Sequence, residues 1–442
     1  MALLEKFFEF EKYNTNLRTE VIAGLTTFMT MAYIIFVNPA ILSDAIGKDA
    51  VPSLVTATAL SAGIATIIMG IYAKKPFALA PGMGLNAYFA YSVVLGLGYP
   101  WQVALAAVFV EGLIFVFLSV TRFRTAVINA IPVSQKYAIG AGIGLFLTLI
   151  GLRSAGVVVA SPATLVTLGT ENFAKPDFWI AMLGLVVAAG LMVRRIPGAL
   201  LIAILTATAA SIVLGISPAP ESLFAPPTLE KTFLQLDFLG LINLGAIGVI
   251  FAFFMVDFFD TLGTVSGLSA KAGLMRKDGS IPDSEKILLT DAVGTSFGAI
   301  LGTSTVTTYI ESAAGIEEGG RTGMTALVVG ILFLVVGLFV SPIAAVIPSS
   351  ATAPALILVG FLMLQVIRDV DFKDLTEALP AFAVLVTIPF TFSIADGIGI
   401  GFISYVVLKV LASRWRDVHP LMFCLAAVFA VYFLYLGGLI KI

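Results

Sequence analysis

The chain has 442 residues, 59% of them hydrophobic and 12% charged, with a net charge of −2 and a mean hydropathy of +1.05. So little charge cannot cover the surface of a soluble protein of this length, and no basic patch suits nucleic acid. Apolar runs of about 17–22 residues match the roughly 20 residues that a helix needs to cross a bilayer. The fold class expected is therefore an all-α polytopic membrane protein.

The amino-terminal stretch MALLEKFFEFEKYNTNLRTE has no uninterrupted apolar core and no small-residue cleavage site. It reads as an amphipathic segment at the cytoplasmic surface rather than a cleavable signal. Spans follow near 21–42, 51–72, 79–95, 102–121, 134–153, 178–193 and 198–216. A second series lies near 241–263, 286–301, 303–316, 322–341, 351–367, 379–393 and 395–412. Lys6, Lys12 and Arg18 precede the first span. Lys74 and Lys75, Arg122 and Arg124, Arg194 and Arg195, and Lys271, Arg276 and Lys277 follow the even-numbered spans up to the eighth. Arg321, then Arg368 with Lys373, then Arg414 with Arg416 follow the tenth, twelfth and fourteenth. With fourteen crossings every cluster falls on one side, as the positive-inside rule requires, and the amino terminus is cytoplasmic. The apolar stretch 420–438 does not fit this count. It is either a further span or an interfacial hairpin, unless 379–412 is one broken span.

The two halves resemble each other. Residues 126–156 align with the SPIAAVIPSSATAPALILVG region at an offset near 216, pairing Pro132 with Pro348 and Gly144 with Gly360. An offset near 224 lays the first span over the eighth. Halves of seven spans each have opposite orientation, the plan of secondary transporters that bind substrate at mid-membrane.

Two corresponding spans are poor straight helices. In FALAPGMGLNAYFAYSVV (77–94), Pro81, Gly82 and Gly84 interrupt the third span before Asn86. In GTSTVTTYIESAAG (302–315), a β-branched run favours extended backbone ahead of Glu311. At an offset of 225, Asn86 falls on Glu311. Interrupted spans in matching positions point to a transporter's binding site, with free backbone N–H groups and positive dipole ends directed at the gap. The eighth span carries Asp257 and Asp260 in FAFFMVDFFDTLGTVSG. Three residues apart, they lie about 60° apart on one helical face. Asn86, Asp257, Asp260 and Glu311 thus form one candidate site. Two close carboxyls in low dielectric do not both ionise cheaply, so one of them can carry a proton or accept hydrogen bonds from a neutral ligand.

Other polar groups are read against this site. Asp291 is open between supporting the site and a helix-end role, Glu111 in the fourth span reads as structural, and Asp396 as a helix start. The runs GAGIG (140–144) and GIGIG (397–401) lack a strand–turn–helix context. Gly140 with Gly144 and Gly397 with Gly401 have the spacing of close helix packing. GIEEGGRTG (315–323) reads as a cytoplasmic turn. His419 is the single histidine and Cys424 the single cysteine, so histidine-based catalysis and an intrachain disulfide are excluded. No cofactor is expected beyond a coupling proton.

The stretches APGMGLNAYFAY, VDFFDTLGT and TSTVTTYIESAAGIEEGGRTG resemble the azaguanine-permease-like branch of the nucleobase–cation symporters, the adenine/guanine/hypoxanthine permeases. The resemblance covers almost the whole chain. It implies about fourteen spans in a seven-plus-seven inverted repeat, with short extended segments in spans 3 and 10. Residues 1–125 (spans 1–4) and 236–342 (spans 8–11) would be a core domain carrying substrate. Residues 126–235 (spans 5–7) and 343–442 (spans 12–14) would be a gate domain. It further implies that Asn86, Asp257, Asp260, Glu311 and Ser312 meet the substrate, and that Asp257, Asp260 or Glu311 carries the proton. Asp291 supports them, and Phe258 is a candidate stacking ring. The eighth-span histidine of the related uracil branch is missing here, so its role does not carry over.

The function expected is import of a purine nucleobase by proton symport with an elevator-like movement, in the cell membrane and without enzymatic activity. Carboxylates accept from ring N–H or exocyclic amino groups, and Asn86 can donate or accept. The alternative is an anion transporter of the sulfate-permease type, against which three acids at the site argue. Which purine is preferred and whether the chain forms a homodimer stay open.

Overall fold

The computed structural model describes residues 2–121, 130–242, 244–276 and 281–437. Arg122, Arg124, Lys277, residues 126–129 of the repeat alignment and residue 438 lie outside them. Among the described residues, eight helices are long and apolar enough to cross a membrane, and shorter apolar helices accompany them.

A short helix α1 (Ala2–Phe7) precedes a first span broken in two, α2 (Leu17–Met31) and α3 (Ile34–Ile46). The second span is α4 (Val51–Ile68), extended by a π-helical turn through Ala73. The third is strand β1 (Leu79–Pro81), helix α5 (Met83–Ala87) and a π-helical stretch to Val94. Then come α6 (Trp101–Val120) and α7 (Val133–Ser154). A hairpin of β2 (Val158–Ser161) and β3 (Leu165–Leu168) follows, then α8 (Pro176–Val193) and α9 (Ala199–Val213).

The second half opens with α10 (Leu244–Lys271) and α11 (Ser284–Leu301). Strand β4 (Val306–Thr308) and α12 (Ser312–Glu317) make up its interrupted span, before α13 (Gly323–Val335) and the short α14 (Ser341–Val346). The chain ends with α15 (Ser349–Leu364), α16 (Leu375–Thr391), α17 (Ile394–Leu411) and α18 (Pro420–Leu436).

Helices α2–α6 pack with α11–α13, and α10 lies against α6, in one group; α7–α9 pack with α15–α17 in another. The repeat offset near 216 has a structural expression in the second group. Pro132 and Pro348 occupy the same place, each as the N-cap of its helix, α7 and α15. Those two helices cross at Gly144 and Gly360, where a Cβ on Gly144 would lie 2.6 Å from the Gly360 carbonyl oxygen. The small residues there let two backbones touch, as van der Waals packing between membrane helices requires.

One expectation changes and two open readings close. The eighth span runs to Lys271 rather than 263, because Thr261, Thr264, Ser266 and Ser269 lower its hydropathy without interrupting its backbone hydrogen bonds. The stretch 379–412 is two helices reversed at Phe392 (φ 54°), not one broken span. The 420–438 stretch supplies a separate helix: α18 runs antiparallel along α17, with Phe429 between Phe402 and Phe251 and Tyr432 over Gly248. The β2–β3 hairpin was not foreseen; its strands carry β-branched Val158, Val159, Val166 and Thr167 in a short ladder.

Contacts at the helix ends collect several of the basic clusters. Lys75 pairs with Asp283 at 3.3 Å and Lys271 with Glu317 at 2.5 Å, while Lys74 lies over the Phe7 ring. The GIEEGGRTG turn is organised by Glu20, which is fully buried. Its carboxylate accepts from the backbone N–H of Arg321, Thr322 and Thr325 and from the Thr325 hydroxyl at 2.6 Å, capping the start of α13.

Candidate functional site

The site is built where the two interrupted spans meet. Strands β1 and β4 pair antiparallel, Leu79 with Thr308, Ala80 with Thr307 and Pro81 with Val306, and all six residues are buried. A two-stranded sheet leaves two outer edges, which hydrocarbon cannot satisfy. Hydroxyls from flanking helices do so instead. Thr66 on α4 accepts from Leu79 N at 2.9 Å and donates to its carbonyl at 3.0 Å. Thr295 on α11 donates to the Val306 carbonyl at 2.8 Å, and Ser312 accepts from Ala78 N at 2.9 Å. Tyr309 donates to the Pro81 carbonyl at 2.5 Å, tying the end of one strand to the end of the other. Helices α5 and α12 start immediately beyond the strands, so both direct their first turns toward the same gap.

The sequence-selected residues fall into three positions. Glu311 and Asp260 are half-buried, Glu311 at the start of α12 and Asp260 on α10. The Glu311 Oε1 accepts from the fully buried Tyr33 hydroxyl at 2.6 Å, and Asp260 is the neighbouring acid that faces Glu311 electrostatically. Tyr33 reaches this point because the first span breaks at Ala32–Tyr33 between α2 and α3. Asn86 is fully buried; its Oδ1 accepts from Ser304, and its Nδ2 lies 3.5 Å from the Pro81 carbonyl. Ser312 is likewise engaged with the Ala78 N–H.

Asp257 lies one turn from Asp260 but points elsewhere. It is fully buried between α10, α6 and α11, beside Glu111 and with Thr295 Oγ1 at 3.3 Å. Phe258 is also buried, edge-on to Phe115 and stacked on Phe254, away from the gap. Asp291 accepts from Thr261 at 2.8 Å and from Thr308 at 2.9 Å, joining α11 to α10 and β4.

Sequence reasoning missed Tyr33 and the threonines that close the strand edges. Nothing sets Tyr33 apart among 11 tyrosines, but Thr56, Thr58, Ser61 and Thr66 give α4 more buried hydroxyls than a lipid-facing helix has use for.

A helical bundle with two interrupted spans joined through one buried sheet, and carboxylates beside it, is the architecture of a membrane transporter rather than an enzyme. Residues 18–400 match the permease family, and the chain belongs to it. It is 44% identical over 437 residues to the adenine permease AdeP of Escherichia coli, covering 99% of this chain and 97% of that one. It is also 44% identical over 443 residues to the guanine/hypoxanthine permease PbuG of Bacillus subtilis, covering 98% and 100%. Among solved structures, the transmembrane domain of a cyanobacterial bicarbonate transporter, BicA, shares the fold. Its TM-score is 0.63 at 18% identity, covering 87% of this chain and 97% of that one.

Proposed function

We propose that this protein imports a purine nucleobase (adenine, guanine or hypoxanthine) into the cell in symport with protons, the core helices sliding against the gate helices as an elevator. The observation that carries the reading is the pair of half-buried carboxylates, Asp260 and Glu311, set beside the paired strands of the two interrupted spans. Acceptors of this kind suit the N–H and amino groups of a neutral purine edge, and the first-turn N–H groups of α5 suit its ring nitrogens and carbonyl. The permeases similar over nearly the full length, for adenine and for guanine and hypoxanthine, support the same ligand class. Core and gate correspond to the two packing groups of helices, with the basic helix ends and the amino terminus on the cytoplasmic side.

The proton does the work. At 100 mV one proton brings about 2.3 kcal/mol, which holds a neutral base at roughly 50-fold accumulation. The test is uptake of radiolabelled adenine, guanine and hypoxanthine in a host lacking purine transport, with and without a protonophore. Glu311→Gln and Asp260→Asn, matched for membrane expression, should abolish the uptake that the protonophore also abolishes. A well-expressed wild type that takes up no purine sinks the reading and leaves the anion alternative, to be tested with bicarbonate and sulfate.

A further inference from the structure

Glu111 and Asp257 form a second acidic centre, apart from the gap. Glu111 lies mid-way along α6, Asp257 on α10, and both are fully buried. Their carboxyl groups stand within hydrogen-bonding reach of each other. Among the described residues, neither Oε of Glu111 nor Oδ1 of Asp257 meets any donor. The one hydroxyl near Asp257 Oδ2, that of Thr295 at 3.3 Å, has a single proton and a better acceptor in the Val306 carbonyl at 2.8 Å. The walls are apolar or tightly packed. Phe115, Phe254 and Phe258 stack together nearby, and Gly112 leaves no room for a Cβ against Ser296. The charged groups that face the pair are acids too, Asp291 from α11 and Asp260 from α10.

Two anionic carboxylates cannot be held in contact in such a place, because each would be desolvated beside a like charge. A carboxyl–carboxyl contact becomes a hydrogen bond once one of the two holds a proton. Asp291 provides the contrast: two threonine hydroxyls donate to its carboxyl.

We propose that Glu111 and Asp257 share one proton, and that this pair is the coupling site of transport, distinct from Asp260 and Glu311 at the gap, which meet the base. Asp260, one helical turn along α10 and half-buried, is the relay: it takes a proton from the gap and passes it to the pair, which goes from one proton to two. Once the gap faces the cytoplasm, the second proton returns through Asp260 to the water there. The transport half of this assignment rests on the symport reading; the shared proton does not.

Two measurements test it. Infrared spectra of the purified wild type should contain a carboxylic acid C=O stretch at neutral pH that disappears in both Glu111→Gln and Asp257→Asn, each confirmed monodisperse. A band unchanged in Glu111→Gln overturns the shared proton, whatever the protein transports. In proteoliposomes with a pH dye inside, Glu111→Gln should lose base-driven proton entry, and gradient-driven accumulation should fall from about 50-fold to about one. Exchange of labelled for unlabelled base, which needs no net proton movement, should persist. Glu111→Asp, which keeps the carboxyl, should recover part of the accumulation and so separates proton carriage from packing. Full accumulation by Glu111→Gln overturns the coupling role. A wild type that moves no purine refutes the nucleobase reading, while the infrared result still decides the pair.

Discussion

Tyr33 and Glu311 make the most consequential single contact in the gap. A hydroxyl donating to a carboxylate at 2.6 Å fixes the rotamer of the acid at the start of α12. Hydrogen bonds to charged groups contribute about 1.5–3 kcal/mol, so Tyr33→Phe, which keeps the ring and its packing, should lower uptake efficiency roughly ten- to a hundredfold. Kinetics of uptake in membranes with equal expression measure this, and an unchanged efficiency removes Tyr33 from the site. The carboxylates of this region are legible in the sequence because an acid in an apolar span is costly wherever it lies, so its residue type alone marks it. Tyr33 carries no such mark, since a tyrosine is stable against lipid, protein or water. Glu111 is visible but its meaning is not: its partner Asp257 sits on a helix that becomes its neighbour only after folding.

At the scale of elements, the run GAGIG offers a test within one motif. Gly144 sits where α7 and α15 touch, with Met363 Cβ 2.9 Å and the Gly360 carbonyl 2.6 Å from any added methyl group. Gly140, one turn earlier, has only Val366 Cγ2 near it, at an ordinary 3.7 Å. Gly144→Ala should cost about 1–3 kcal/mol by overpacking and lower the melting temperature of the purified protein, while Gly140→Ala should leave it unchanged or slightly raised. Equal melting temperatures would show that the crossing yields freely. The spacing of these glycines made close packing readable from sequence, but not which glycine does it. The strand TSTVTT was readable from its β-branched residues. An extended segment in the third span was readable too, from its interruption at Pro81; what was not readable is that it pairs with β4, with the Tyr309 hydroxyl meeting the Pro81 carbonyl.

For the whole molecule, the plan of two related halves was legible because each half repeats its interruption and its Pro-capped helix. Helix α18 was not, because a lone apolar stretch outside the repeat has no counterpart to define it. The proposed elevator movement makes a prediction about which contacts must break. Phe392, at the turn between α16 and α17, touches both packing groups: its carbonyl accepts from Ser92, in the stretch after α5, and its ring meets Phe146 on α7 at 5.6 Å edge-on. In a Cys424→Ser background, a reducible thiol cross-link joining Cys substituted for Ser92 and Phe392 ties the groups together. It should stop uptake until it is reduced. The same linker joining positions 146 and 392 lies within one group and should leave uptake largely intact. Rigid-body sliding needs this asymmetry, because only the first link spans the surface that moves. Equal inhibition by both links, with both unlinked variants active, would place the conformational change inside the helix groups rather than between them.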